Sequence, residues 1–195
     1  MNGLKLIVAA LLVASNAFFV VAEYAHVRSR RARLEVMREE DAKGASLALE
    51  QLGNVNEYIS AVQIGITMAS IGIGALAEPA LASILKGALG HTLSHGVAAA
   101  VLVIVAFLII AAVQLVAGEM VPKFYAIDRA EAVARRVAGP LRAFSILFHP
   151  FILALTAVAD RILRLLGVDM NVRRLAGRAQ APDRRVLRGR THRPR

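Results

Sequence analysis

The run "GVAAAVLVIVAFLIIAAVQLVAG", Gly96 to Gly118, passes from end to end without a charge, and Gln114 is its only polar side chain. A helix of that length rises far enough to cross the roughly 30 Å hydrocarbon core of a bilayer. Two further stretches have the same character. Leu6 to Ala22 is apolar apart from Ser15 and Asn16, and Tyr24 to Val27 extend it to spanning length. "YISAVQIGITMASIGIGALA", Tyr58 to Ala77, stops at Glu78-Pro79, where proline disfavours a preceding helical residue. These runs predict an all-α membrane protein with three transmembrane helices at about 4–27, 58–78 and 96–118. The 57% hydrophobic content agrees, and the absence of Cys excludes disulfides and thiolate chemistry. The formal charge of +10 sits in Arg-rich segments beside apolar runs, with no Trp for base stacking, so it points to anionic membrane lipids and to no nucleic acid.

Lys5, the apolar "LIVAALLVA" and the small residues Ser15 and Ala17 also fit a secretory signal peptide. The apolar run continues through "FFVVA" to an Arg cluster, however, which is a stop-transfer pattern, and the first span is expected to stay. Positive charge follows the first span (Arg28, Arg30, Arg31, Arg33, Arg38, Lys43) and the third (Lys123, Arg129, Arg135, Arg136, Arg142), whereas the connection between the second and third has only Lys86. The positive-inside rule then places the N-terminus outside and the C-terminus in the cytoplasm, in the inner (plasma) membrane, with an odd number of crossings. "GPLRAFSILFHPFILALTAVADRILRLLG", Gly139 to Gly167, is apolar enough for a fourth, but Pro140 and Pro150 interrupt it and a fourth crossing would export the Arg-rich end. Residues at about 128–167 are therefore read as cytoplasmic juxtamembrane belt helices in the interface, with Arg161 and Arg164 towards headgroups. Residues 1–170 make one transmembrane domain. The Arg-rich tail, 171–195, has no apolar periodicity and is expected to be disordered, either as a lipid-binding segment or as a truncated or frame-shifted end.

Polar residues inside spans are costly and therefore informative. Gln63, Thr67 and Ser70 stand at i, i+4 and i+7 on one helical stripe, beside the small residues Gly65, Ala69, Gly72 and Gly74 that permit close helix approach. Asn16 and Glu23 share a face of the first span, and the third ends on Gln114, Gly118 and Glu119. Taken singly, the amides and hydroxyls can serve only to bond neighbouring helices, and Glu23 can sit at the interface beside Arg28. Together, two carboxylates and neutral oxygens on three helices suit a hard cation. In "AGEMVPK", Pro122 has no N–H, so the carbonyl four residues back, that of Gly118, loses its helical partner next to the Glu119 carboxylate. The predicted metal ligands are Glu119, Gly118, Gln63, Thr67, Ser70, Asn16 and Glu23. No enzyme is expected. "HTLSH", His91 to His95, lacks the Glu of a zinc-protease helix, and the glycines of "SIGIGAL" follow no strand.

"NAFFVVAEYAHVRSRRARLE", "YISAVQIGITMASIGIGALAEPAL" and "GEMVPKFYAI", followed by "PLRAF", "HPF" and "LLG", closely resemble the transmembrane domain of the CNNM/CorC (hemolysin C-like) family over roughly residues 4 to 168. The resemblance implies a homodimeric divalent-cation transporter for Mg²⁺ efflux or cobalt resistance. It also implies a following CBS pair that senses nucleotide, which this chain lacks, so no nucleotide site is expected here. The family's Gly-Glu before Pro falls on Gly118 and Glu119. Magnesium-type members carry a Ser in an FFS-like motif where this chain has Phe18-Phe19-Val20, and an Asn in the second span where it offers Gln63 and Thr67. The absent Ser and CBS pair favour an alternative reading, a non-transporting membrane scaffold or regulatory subunit.

Overall fold

A computed structural model describes residues 2–89 and 97–167. The regular structure among them is helical throughout: α1 (Asn2–Arg28), α2 (Arg31–Glu39), α3 (Ala45–Gly53), α4 (Val55–Leu89), α5 (Val97–Val113), a π-helical turn (Gln114–Met120), α6 (Val121–Asp128) and α7 (Ala130–Leu165). Four helical stretches are long and apolar enough to cross a bilayer: Gly3–Arg28, Val55–Gly87, Ala100–Asp128 and Ala130–Leu165. The all-α multi-pass membrane class stands, but the expected count of three is corrected to four candidates.

Proline caused the discrepancy. Pro79 was expected to close the second span, yet α4 runs through it to Leu89, and α7 is continuous through Pro140 and Pro150. The ring fixes φ near the helical value and removes one N–H, so it costs a hydrogen bond without forbidding the helix. In membrane helices that loss is commonly made good by neighbouring groups. His91, His95 and the 171–195 tail lie outside the described residues.

The spanning helices pack by close backbone approach, because lipid offers no hydrophobic drive between helices. The Phe19 ring of α1 lies on Gly65 of α4, where a Cβ would meet the ring at 2.5 Å, and Leu12 lies on Gly72 at 2.8 Å. Ala9, Leu12, Asn16 and Phe19 recur at helical spacing along this face, and Ala9, Ile73 and Ala77 form a small core with Leu12, Val13 and Ile110 of α5.

Between α1 and α4 in the chain lie α2 and α3, two nine-residue helices that no apolar run announces. Leu34, Ala48 and Leu49 from these helices join Ala22 and Ala25 of α1, Tyr58 and Val62 of α4, and Val133, Ala134, Val137, Ala138 and Leu141 of α7 in one buried cluster. Gly44 caps the start of α3 with φ +86°, a left-handed conformation that suits glycine, and a Cβ on it would collide with the Arg135 carbonyl of α7. His26 is buried here. Its ring nitrogens lie 2.7 Å from the Ala22 carbonyl and 2.7 Å from Gln51 Oε1, while Gln51 Nε2 donates to the Ala138 carbonyl at 2.7 Å. The chain divides into two units, Met1–Phe148, which holds these clusters, and His149–Arg195. The described part of the second is the end of α7, with Phe151, Leu153, Leu155, Val158 and Ile162 exposed.

Candidate cation site

Between α5 and α6 the helix widens. At Val121 the N–H bonds to the Val116 carbonyl, five residues back, which is the π pattern. Such single turns recur at functional sites because they displace backbone groups from the helical ladder. Pro122, buried at the second position of α6, has no N–H to offer Gly118. The Gly118 carbonyl instead accepts Asn16 Nδ2 of α1 at 3.0 Å. The carbonyl singled out in the sequence thus meets a side-chain donor from another span.

Asn16 is brought there by the α1–α4 contact, since it shares the face of Leu12 and Phe19, and it is 0% exposed. A longer chain of hydrogen bonds leads away from it. Ser70 Oγ donates to Asn16 Oδ1 at 3.5 Å, and Gln114 Nε2 donates to Ser70 Oγ at 3.4 Å, both at the outer limit of useful geometry. Gln114 Oε1 is buried and accepts no hydrogen bond among the described residues. Gly118 must be small, because a Cβ on it would stand 3.1 Å from Gln114 Oε1 and 3.2 Å from Asn16 Nδ2.

Glu119, in the same π turn, is partly buried, as is Glu23 on α1. The salt bridges among the described residues, Arg31–Glu35, Arg129–Asp128 and Arg142–Glu50, include neither carboxylate. The Lys123 ammonium lies over the Tyr24 ring, 4.8 Å from its centre.

Of the predicted ligands, Asn16, Ser70 and Gly118 are brought into one hydrogen-bonded cluster, with Glu119 next in sequence. Gln63 and Thr67 are not. Both are exposed, and Thr67 Oγ1 donates to the Gln63 carbonyl one turn back at 2.8 Å. The reason lies in helix rotation: α1 docks on the ridge Gly65–Ala69–Gly72, which faces away from Gln63 and Thr67, and only Ser70 lies near enough to its edge. Gln114 is not among the ligands expected from the sequence, although its spacing of four from Gly118 puts both on one side of the turn.

Among the described residues no three His, Asp or Glu side chains converge, so a cation here would rely on neutral oxygens beside at most two carboxylates. A cleft of about 490 Å³ lined by Glu78, Pro79, Ala82, Ser83, Lys86 and Val103 contains none of these groups.

Comparison with known proteins agrees with this architecture. Residues 7–178 match the Cyclin M transmembrane N-terminal domain (CNNM). The chain is 40% identical over 169 residues to UPF0053 protein YhdT of Bacillus subtilis (strain 168), covering 84% of this chain and 36% of the relative. It is 35% identical over 178 residues to UPF0053 protein YhdP of the same organism, covering 87% and 38%. It is 33% identical over 161 residues to UPF0053 protein sll0260 of Synechocystis sp. (strain ATCC 27184 / PCC 6803 / Kazusa), covering 81% and 36%. The chain therefore spans well under half the length of these relatives.

Proposed function

Because the chain belongs to the CNNM transmembrane-domain family, we propose that it binds a divalent cation and carries it across the inner membrane, with Mg²⁺ as the first candidate and Co²⁺ as the second. The observation that supports this best is the π turn, where the Gly118 carbonyl, which accepts the Asn16 amide, adjoins Glu119, a partly buried carboxylate that belongs to none of the salt bridges among the described residues. Carboxylate and carbonyl oxygens are the ligands a hard cation takes, and a spanning segment is where an uncompensated charge is most costly. Transport rather than catalysis fits a site held by helices that can repack.

Glu119 is the principal ligand in this reading and Gly118 the second. Asn16 and Ser70 hold the carbonyl and its surroundings in place. Glu23, two turns further along the same face of α1 as Asn16, is a candidate for a second, transient contact. The protein works as a homodimer in contact with membrane lipids, its N-terminus outside and its C-terminus cytoplasmic. In this reading three of the four candidate helices cross, and α7, tied at Ala138 and Arg142 to Gln51 and Glu50 of α3, keeps to the cytoplasmic side.

The test is transport. Vesicles containing the full chain should move Mg²⁺ down an imposed gradient, and Glu119→Gln, which keeps the shape and removes the charge, should reduce the flux to background. Equal flux in parent and variant would remove Glu119 from the pathway, and no flux above background in the parent would favour the scaffold reading.

A further inference from the structure

The Gly118 carbonyl that a cation would need is engaged, because Asn16 Nδ2 donates to it at 3.0 Å. An N–H dipole presents its positive end to that oxygen, so a cation approaching the same lone pairs is repelled until the amide moves. An amide leaving the carbonyl inside a dry helical contact needs another acceptor, since a buried donor left unpaired forfeits its full desolvation cost. Gln114 Oε1 supplies one: it is buried, unpartnered among the described residues, and crowds the same side of Gly118 as the Asn16 amide. The Gln114 amide is oriented by its other end, where Nε2 donates to Ser70 Oγ at 3.4 Å.

We propose that Asn16 and Gln114 form an exchange pair on the Gly118 carbonyl: when a divalent cation takes that carbonyl, the Asn16 amide N–H transfers to Gln114 Oε1. The inference rests on the cation reading of Gly118 and Glu119. Its consequence is that uncapping the carbonyl loses no hydrogen bond overall, so the cation replaces the amide without a penalty for an orphaned donor. Gln114 thereby acts as a positioning residue, through Asn16, rather than as a ligand.

The experiment titrates the full chain in lipid nanodiscs with MgCl₂ and reads the dissociation constant by calorimetry. Gln114→Leu should weaken binding about tenfold, the cost of one unpaired amide. In an Asn16→Ala background, where no amide needs a place, the same substitution should have no effect. A tenfold loss in both backgrounds would make Gln114 a direct ligand and overturn the exchange. No loss in either background, with Glu119→Gln still abolishing binding, would overturn the exchange alone and leave the cation site standing. Binding unchanged by Glu119→Gln would overturn both. A measurement on the unaltered protein covers the case in which Gln114→Leu fails to fold: the Asn16 side-chain amide NMR signal, identified by its loss in Asn16→Ala, should shift as Mg²⁺ saturates. An unmoved signal at saturation would overturn the proposal.

Discussion

Two buried polar networks lie on the same helix, α1, and are built differently. The one around His26 is short and closed: three contacts of 2.7 Å run from Ala22 through His26 and Gln51 to Ala138, and both ends of the Gln51 amide are used. The one around Asn16 is long and open. Its contacts measure 3.0, 3.5 and 3.4 Å, and it ends on Gln114 Oε1, which has no partner among the described residues. A fully satisfied buried network rigidifies its surroundings, whereas a partly satisfied one is expensive unless the unsatisfied group has a task. The His26 network joins α1, α3 and α7 and serves to hold them; the Asn16 network joins the spanning helices at the π turn and is suited to exchange.

Breaking the closed network should have the largest effect on the fold. Gln51→Leu keeps the size but leaves a ring nitrogen of His26 without its partner and cuts the tie from α3 to the Ala138 carbonyl of α7, and should lower stability by about 2 kcal/mol. Thermal unfolding in detergent reads this, and Mg²⁺ affinity should not change. Gly118→Ala comes next. The added Cβ meets Gln114 Oε1 and Asn16 Nδ2 at 3.1 and 3.2 Å, close enough that both must shift by a few tenths of an ångström. Stability should fall by about 1 kcal/mol, and Mg²⁺ affinity, read by calorimetry, should fall with it because the carbonyl is displaced. The smallest effect belongs to Thr67→Val on the exposed face of α4, within roughly 0.5 kcal/mol of the parent and without change in Mg²⁺ affinity. A large loss of affinity in that variant would show that the outward stripe belongs to the site after all.

The contrast also marks how far the sequence could be read. The spans were legible because an uninterrupted apolar run has one physical explanation at that length. Gly118 stood out in the sequence because the missing N–H of Pro122 acts at an offset of four along an α-helix, and its carbonyl is the one Asn16 reaches, but the π turn, which bonds five residues back, was not legible. The prolines at 79, 140 and 150 misled for the converse reason: the offset says which carbonyl loses its donor, and only the neighbours decide whether the helix continues. The stripe Gln63–Thr67–Ser70 shares a face, but which face meets α1 depends on the glycines under Phe19 and Leu12, so spacing alone could not separate Ser70 from the other two. The His26–Gln51–Ala138 link joins residues far apart in the chain, and α2 and α3 are too short for their periodicity to stand out.

The central claim, that the Asn16 network is open because a cation completes it, is tested most directly by the Mg²⁺ dependence of thermal stability. A ligand that binds only the folded state stabilises it by about 2.7 kcal/mol at a concentration one hundred times its dissociation constant. The melting temperature of the parent and of Gln51→Leu should therefore rise by similar amounts as MgCl₂ is added, from different starting points. Glu119→Gln should start where the parent does and show no rise. A rise in Glu119→Gln equal to that of the parent would contradict the account and leave the π turn a packing feature of the membrane helices.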